Sequence, residues 1–286
     1  MPDSALTVVS LIRDSDLQAA VGRWFDGQQR YRLVRSEPQA DLSVALEQLG
    51  DSCDALLLQQ GLLAPEAAQS LQERGLLWPA VVIGRVVGQV DYHQDEVHLP
   101  PDQLEQLTYS LDAAISRSLS RGLALQPGGP AIDASSGGMP ERWRLANRLQ
   151  GRLGLLGVFY KRDPSRFLRT LPEREAGELV ASLERTYRDL LLSYFRDPAA
   201  ANQALESFVN TAFFSDLPIT KTVEIHMNLI DSFAKQLSLE GHKTNFLQDY
   251  RLALLDVMAH LCEMYRRSIP MGPAVAEPDE GPVQAP

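Results

Sequence analysis

The chain has 286 residues, 44% hydrophobic and 22% charged, a composition that builds packed cores and excludes both a wholly disordered chain and a coiled-coil rod. The formal net charge is -10 at pH 7, with 9 basic and 18 acidic groups in residues 1–140 and 18 and 16 in residues 141–270; neither part has the cationic excess that neutralising nucleic-acid phosphates requires. No apolar run reaches the roughly 18–20 residues that span a bilayer, the N-terminus lacks the basic flank of a signal peptide, and Cys53 and Cys262 stand far apart in no metal-ligand spacing, so a cytoplasmic protein with reduced thiols, no membrane span and no nucleic-acid partner is expected.

Short apolar runs at 5–11, 31–35, 54–58, 79–83 and 96–99 predict five strands. Between the first two, Leu17, Ala20, Val21 and Trp24 recur at helical spacing behind an Asp14 cap, and similar patterns cover 41–50, 65–74 and 102–119. This alternation implies right-handed crossovers and a flavodoxin-like parallel sheet over residues 1–125. One unit is short: GRVVGQVDYHQD, residues 84–95, is too brief and Gly-interrupted for a crossover helix and predicts a loop.

Residues 126–140, QPGGPAIDASSGGMP, concentrate Gly, Pro and Ser and predict a flexible linker. Beyond it the apolar period becomes 3.6. Leu145, Leu149 and Leu153 mark a helix over 141–153, and Leu179, Val180, Leu183, Tyr187, Leu190 and Tyr194 mark one over 172–196. Further helices are predicted over 199–214, over 218–239 on Ile219, Val223, Met227, Ile230 and Leu237, and over 245–268 on Phe246, Tyr250, Ala253, Val257, Leu261 and Met264. Prolines 172, 198 and 218 stand near helix starts, where a missing N–H costs nothing. The fold class is therefore α/β plus all-α: a doubly wound module joined to a helical bundle over 141–270, with a disordered tail at 271–286. Helices of about 22–24 residues, roughly 33–36 Å long, offer more surface than one bundle covers, so a homodimer is expected. Residues 155–162, LLGVFYKR, break the helical pattern and predict a strand in want of a partner edge.

The doubly wound module invites comparison with the receiver domains of two-component signalling. Phosphoryl acceptance there needs an Asp ending the third strand, a hydroxyl ending the fourth and a Lys ending the fifth; here Gln59 and Gln60, Gly84 and Leu99 stand at those places. The module reads as a pseudo-receiver, with Asp14 a helix cap rather than a metal ligand. In the bundle, His226 and His260 lie on or beside apolar stripes; each reads as a hydrogen-bonded core or interface histidine, with a dimer-groove contact as the sharper alternative. Phe213 and Phe214 are about 100° apart on one helix, so both are not expected in one core, and one is expected either to line a groove or, equally economically, to make a dimer contact. Arg266 and Arg267 suit a helix C-terminus. No phosphate loop, nucleophile elbow or HExxH occurs, which predicts a protein that is not an enzyme.

Three segments, LGVFYKRDPSRFLRTLP, SFVNTAFFSDLPITKTVEIHMNLIDSFAK and LLDVMAHLCEMYRRSIP, closely resemble the KaiA family of cyanobacterial circadian clock proteins, nearly without gaps over about 140–270. Residues 1–125 resemble that family in architecture. The resemblance implies a homodimer whose groove holds the C-terminal tail of KaiC and so stimulates KaiC autophosphorylation, with KaiB sequestering it in the opposing phase. It implies groove or dimer roles for Phe167, Asn210, Phe214, His260, Glu263, Met264 and Arg267, and a KaiB-pairing strand carrying Leu156, Val158, Tyr160 and Lys161. No cofactor is required; an oxidised quinone at the pseudo-receiver is an implied metabolic input. Ser238 stands where the resemblance leads one to expect a basic residue. The alternative is a two-component phosphotransfer protein using a bundle histidine such as His226.

Overall fold

Strand-forming runs flanked by helices collapse into a five-stranded parallel sheet in the computed structural model, which describes residues 5–26, 29–36, 52–85, 87–124, 162–241 and 245–269. The strands are β1 (Leu6–Leu11), β2 (Tyr31–Arg35), β3 (Ala55–Gln59), β4 (Ala80–Ile83) and β5 (Val97–Leu99), in the order β2-β1-β3-β4-β5. Pairings such as Val8↔Leu33, Val9↔Leu56, Leu57↔Val81 and Val82↔His98 set the register. β1 and β4 are buried along their whole length, as a parallel sheet covered on both faces demands, which is why they read as unbroken apolar runs. The Asp14 carboxylate accepts from the N–H groups of Asp16 and Leu17 and starts helix α1 (Ser15–Phe25), the capping role expected of it. Helix α2 (Pro65–Glu73) has Pro in its first turn. The stretch predicted as helix from residue 102 opens as a short 3-10 turn, Leu104–Gln106, and continues as α3 (Leu107–Ala124).

The second half supplies α4 (Glu173–Ser193), α5 (Pro198–Phe214), α6 (Ile219–Leu239) and α7 (Arg251–Ser268). The helix expected from residue 245 begins instead as a 3-10 segment, Asn245–Tyr250. The expected helices 41–50 and 141–153, the linker, the strand over 155–161 with Leu156, Val158, Tyr160 and Lys161, and the tail lie outside the described residues.

α5 is the hub. It packs on α4 and α7 in its own half and on α3 and β5 in the other, so it is buried on every side from Ser207 to Phe214. That corrects the expectation for the adjacent phenylalanines. Phe213 and Phe214 are both buried, edge to face with ring centroids 5.1 Å apart, because a helix surrounded by neighbours has a core on each face. The α6 stripe is corrected too. Val223 and Met227 point outward, Met227 51% exposed, while Thr222, Ile225, His226 and Leu229 face inward.

The described residues of 84–95 form the expected loop without a helix, and the loop docks on α5 of the other half. Gly88 adopts φ 73°, and a Cβ built on it would lie 2.4 Å from the Cβ of Ala199. Gln203 of α5 clasps the same loop, accepting from Gly88 N at 2.7 Å and donating to Gln89 O at 2.9 Å. Gly88→Ala therefore combines a clash with backbone strain, and thermal unfolding should show a loss of about 1–3 kcal/mol. Gly177→Ala, in the second turn of α4 with nothing within 4 Å of the added carbon, should instead stabilise by about 0.5–1 kcal/mol.

Candidate functional site

At the carboxyl ends of the strands, where a receiver would accept phosphate, amides close the structure. Gln59 Oε1 accepts from the N–H groups of Arg13 at 2.9 Å and Asp14 at 3.1 Å. Gln60 donates to Arg85 O at 3.0 Å and accepts from Arg85 N at 2.7 Å, and its side chain fills the space a Cβ on Gly84 would need. These bonds staple the β1, β3 and β4 ends together with groups that are not nucleophiles, as the pseudo-receiver reading requires.

A cluster the sequence pattern did not single out lies beside β5. Asp91, Glu96 and His98 bring one ligand atom each within 4.8 Å of one another. Glu96 is already engaged: its carboxylate accepts from the backbone N–H groups of Asp91, Tyr92 and His93 and from His98 Nε2 at 2.7 Å. Burial pushes the Glu96 carboxyl up, but those bonds, led by the one from His98, outweigh it and hold the group below the usual carboxylate range. The cluster is thus arranged to tie the 84–95 loop to β5.

In the bundle, four of the candidate residues share one face of α7. His260 is exposed, its Nδ1 2.8 Å from the Asp256 carbonyl one turn back; with that carbonyl accepting, Nε2 is left to face outward. Glu263 binds Arg266 through two contacts of 2.7 Å and Arg267 through a third. These bonds from Arg266 and then Arg267 hold its carboxyl down at about 2, so the face carries a fixed charge pattern at neutral pH. Met264 is half-buried against the core. Phe167 sits apart in the turn before α4, buried, with the guanidinium groups of Arg162 and Arg169 each 5.3 Å from its ring centroid. Arg162 also lies 5.0 Å from the Phe213 ring and 5.2 Å from that of Tyr265, and pairs with Asp216 at 2.7 Å. Through this cage the Phe167 turn, the end of α5 and α7 meet. Asn210 and Phe214 are buried in α5.

His226 is a core residue. It is 5% exposed, and its Nδ1 is 3.1 Å from the Tyr187 hydroxyl. Burial lowers its pKa below the ordinary 6.5 and raises that of Tyr187, which suits a neutral ring accepting from a protonated phenol.

Residues joining the two halves are the main feature that sequence reasoning missed. Gln106, wholly buried, donates to Ser182 Oγ at 2.9 Å and Thr186 Oγ1 at 2.7 Å, both on α4, and accepts from Thr211 Oγ1 of α5 at 2.8 Å. Thr186 donates in turn to Gln103 at 2.5 Å. Asp112 of α3, 3% exposed, receives the Tyr31 hydroxyl at 2.5 Å, Arg30 at 2.9 Å and Arg166 at 3.1 Å. Polar residues inside the predicted 102–119 helix were the available signal, but nothing local says what they meet.

A parallel sheet with amide-closed strand ends, docked on a helical bundle, defines a pseudo-receiver joined to a helical domain. Residues 6–122 match the family described as "Circadian clock protein KaiA, N-terminal domain", and residues 151–272 match "KaiA C-terminal domain". Two relatives named "Circadian clock oscillator protein KaiA" are similar over most of their length. That of Parasynechococcus marenigrum (strain WH8102) is 56% identical over 94% of this chain and 91% of its own, and that of Synechococcus elongatus (strain ATCC 33912 / PCC 7942 / FACHB-805) is 43% identical over 84% and 89%. The chain belongs to the KaiA family of circadian clock proteins. Among the described residues no helix is long and apolar enough to cross a membrane.

A histidine whose folded pKa lies below its unfolded value binds fewer protons when folded, so its contribution to stability is present above about pH 6.5 and fades as pH falls toward the lowered pKa. Urea unfolding between about pH 7 and 5 should show stability falling with acid, and His226→Leu should flatten that slope.

Proposed function

We propose that this protein is a non-enzymatic clock regulator that binds the C-terminal tail of KaiC as a homodimer and stimulates KaiC autophosphorylation, with KaiB sequestering it in the opposing phase. The observation that carries the reading is the outward apolar side chains of α6 and α7. Met227 is 51% exposed and Leu255 61%, with Val223 one helical turn before Met227 and Leu252 one turn before Leu255, both exposed too. A second copy offers complementary surface of the same kind. The α7 face carrying His260, Glu263 and Arg267 lines the proposed cleft with a polar edge, while Phe167, Met264 and the buried Asn210 and Phe214 support it from behind.

Stimulation needs no bond-making by this chain. A cleft that accepts the tail only when it is extended favours that conformer by its differential affinity, and about 1.4 kcal/mol of difference is worth tenfold in population. The phosphotransfer alternative requires an accessible imidazole, whereas His226 is buried against Tyr187. The KaiB-pairing strand with Leu156, Val158, Tyr160 and Lys161 is part of the same proposal, as is action in the cytoplasm. An oxidised quinone at the pseudo-receiver is the proposed metabolic input.

Adding this protein to KaiC should raise KaiC phosphorylation and leave no phosphate on the added chain; acid-labile phosphate on His226 would favour the alternative. Titration with a synthetic KaiC tail peptide should show binding that His260→Ala weakens about tenfold, and unchanged affinity would reduce His260 to a surface residue. Val158→Pro removes a backbone donor from the proposed pairing strand and should weaken capture of KaiB on KaiC while tail binding persists.

A further inference from the structure

Arg166 is held by the first half of the chain at both its ends. Its guanidinium bonds Asp112 at 3.1 Å and Thr108 on α3, and stacks 4.5 Å from the Tyr109 ring centroid. Its carbonyl accepts from the Tyr109 hydroxyl at 2.8 Å. Yet Arg166 belongs to the turn that leads into the bundle, and the next two residues belong to the bundle: Phe167 is buried under Arg162, and Leu168 N donates to Ser215 O at 2.7 Å. Ser215 closes the C-terminal end of α5, and Asp216 beside it, at φ 54°, receives Arg162. One turn back, Thr211 of α5 is gripped by Gln106. The C-terminal end of α5 is thus clamped by the first half on two sides, through an ion pair whose carboxylate is buried and through a buried amide, and it carries Phe213, whose ring meets Tyr265 of α7 at 5.1 Å.

We propose that Arg166 is a positioning residue that couples the two halves: its grip on Asp112 fixes the Phe167 turn and the end of α5, so that a change in the first half that withdraws Asp112 alters the partner-binding end of the bundle. Tyr31, on the outermost strand β2, shares the Asp112 carboxylate, which connects the far edge of the sheet to the same node. Buried ion pairs with added hydrogen bonds suit this task because either partner left alone is strongly disfavoured, so the turn has a defined docked position. The effect on the tail rests on the proposed function above; the coupling itself does not.

The test uses full-length protein with two variants. Arg166→Gln removes the ion pair, and Tyr109→Phe removes only the bond to the Arg166 carbonyl. Hydrogen exchange should accelerate about fivefold or more at the amides of Leu168, Ser215 and Leu217 in Arg166→Gln, less in Tyr109→Phe, with the β1, β3 and mid-α4 amides unchanged. The affinity for a KaiC tail peptide should shift by about fivefold or more in Arg166→Gln. Unchanged exchange at those three amides in both variants, or acceleration spread evenly over sheet and bundle in both, would overturn the coupling. So would local acceleration in Arg166→Gln with wild-type tail affinity. If the wild-type chain binds no tail, the proposed function fails, and the exchange pattern still decides the coupling.

Discussion

A buried amide left without partners costs about 1–3 kcal/mol, so Gln106 is tolerable at its depth only while Ser182, Thr186 and Thr211 hold their places around it. That requirement fixes three helices from two halves of the chain relative to one another. The short β4–β5 connection adds to it. Lacking a crossover helix of its own, the loop packs on α5, with Gly88 so close to Ala199 that no side chain fits between. α5 serves both halves, as the centre of the bundle and as a cover for β5 and α3. Its burial on every side in the Ser207–Phe214 stretch follows from that double duty.

The same economy of chemistry runs through the rest of the molecule. At the strand ends, glutamine side chains satisfy backbone groups that a catalytic site would leave open, and the acidic residue after β1 caps a helix. Charged groups inside the seam are paired, and the histidine most deeply placed in the bundle is held neutral by burial. What the surface offers is shape, an apolar surplus on α6 and α7 and a patterned polar face on α7.

The elements that sequence reasoning located well are those whose signals are local. Strand positions came within a residue of the observed ends, the 84–95 stretch is a loop, and Asp14 caps α1, because apolar runs, glycines and capping residues act on their immediate neighbours. Misreadings arose where a distant element decided the outcome. Val223 and Met227 keep a helical period yet face outward, since α4 meets the other face of α6, where Tyr187 bonds His226 and where Ile225 and Leu229 are buried. Phe213 and Phe214 are both buried because α5 has neighbours on every face. The seam was invisible for the same reason: Gln106 meets residues 76, 80 and 105 positions away in sequence, and no periodicity encodes such a meeting. Of the candidate site, the face shared by His260, Glu263, Met264 and Arg267 follows from helical spacing, whereas the Arg162 cage over Phe167, Phe213 and Tyr265 needed the fold.

The account stands on the two halves forming one body through α5 and the buried seam. Nitroxide labels at Ser70 on α2 and Ser232 on α6, both exposed, in a chain with the exposed Cys262 replaced, would report on this by pulsed electron paramagnetic resonance. Narrow, well-defined distances between the labels are expected. A broad, featureless distribution, with the halves moving independently about the linker, would contradict the account.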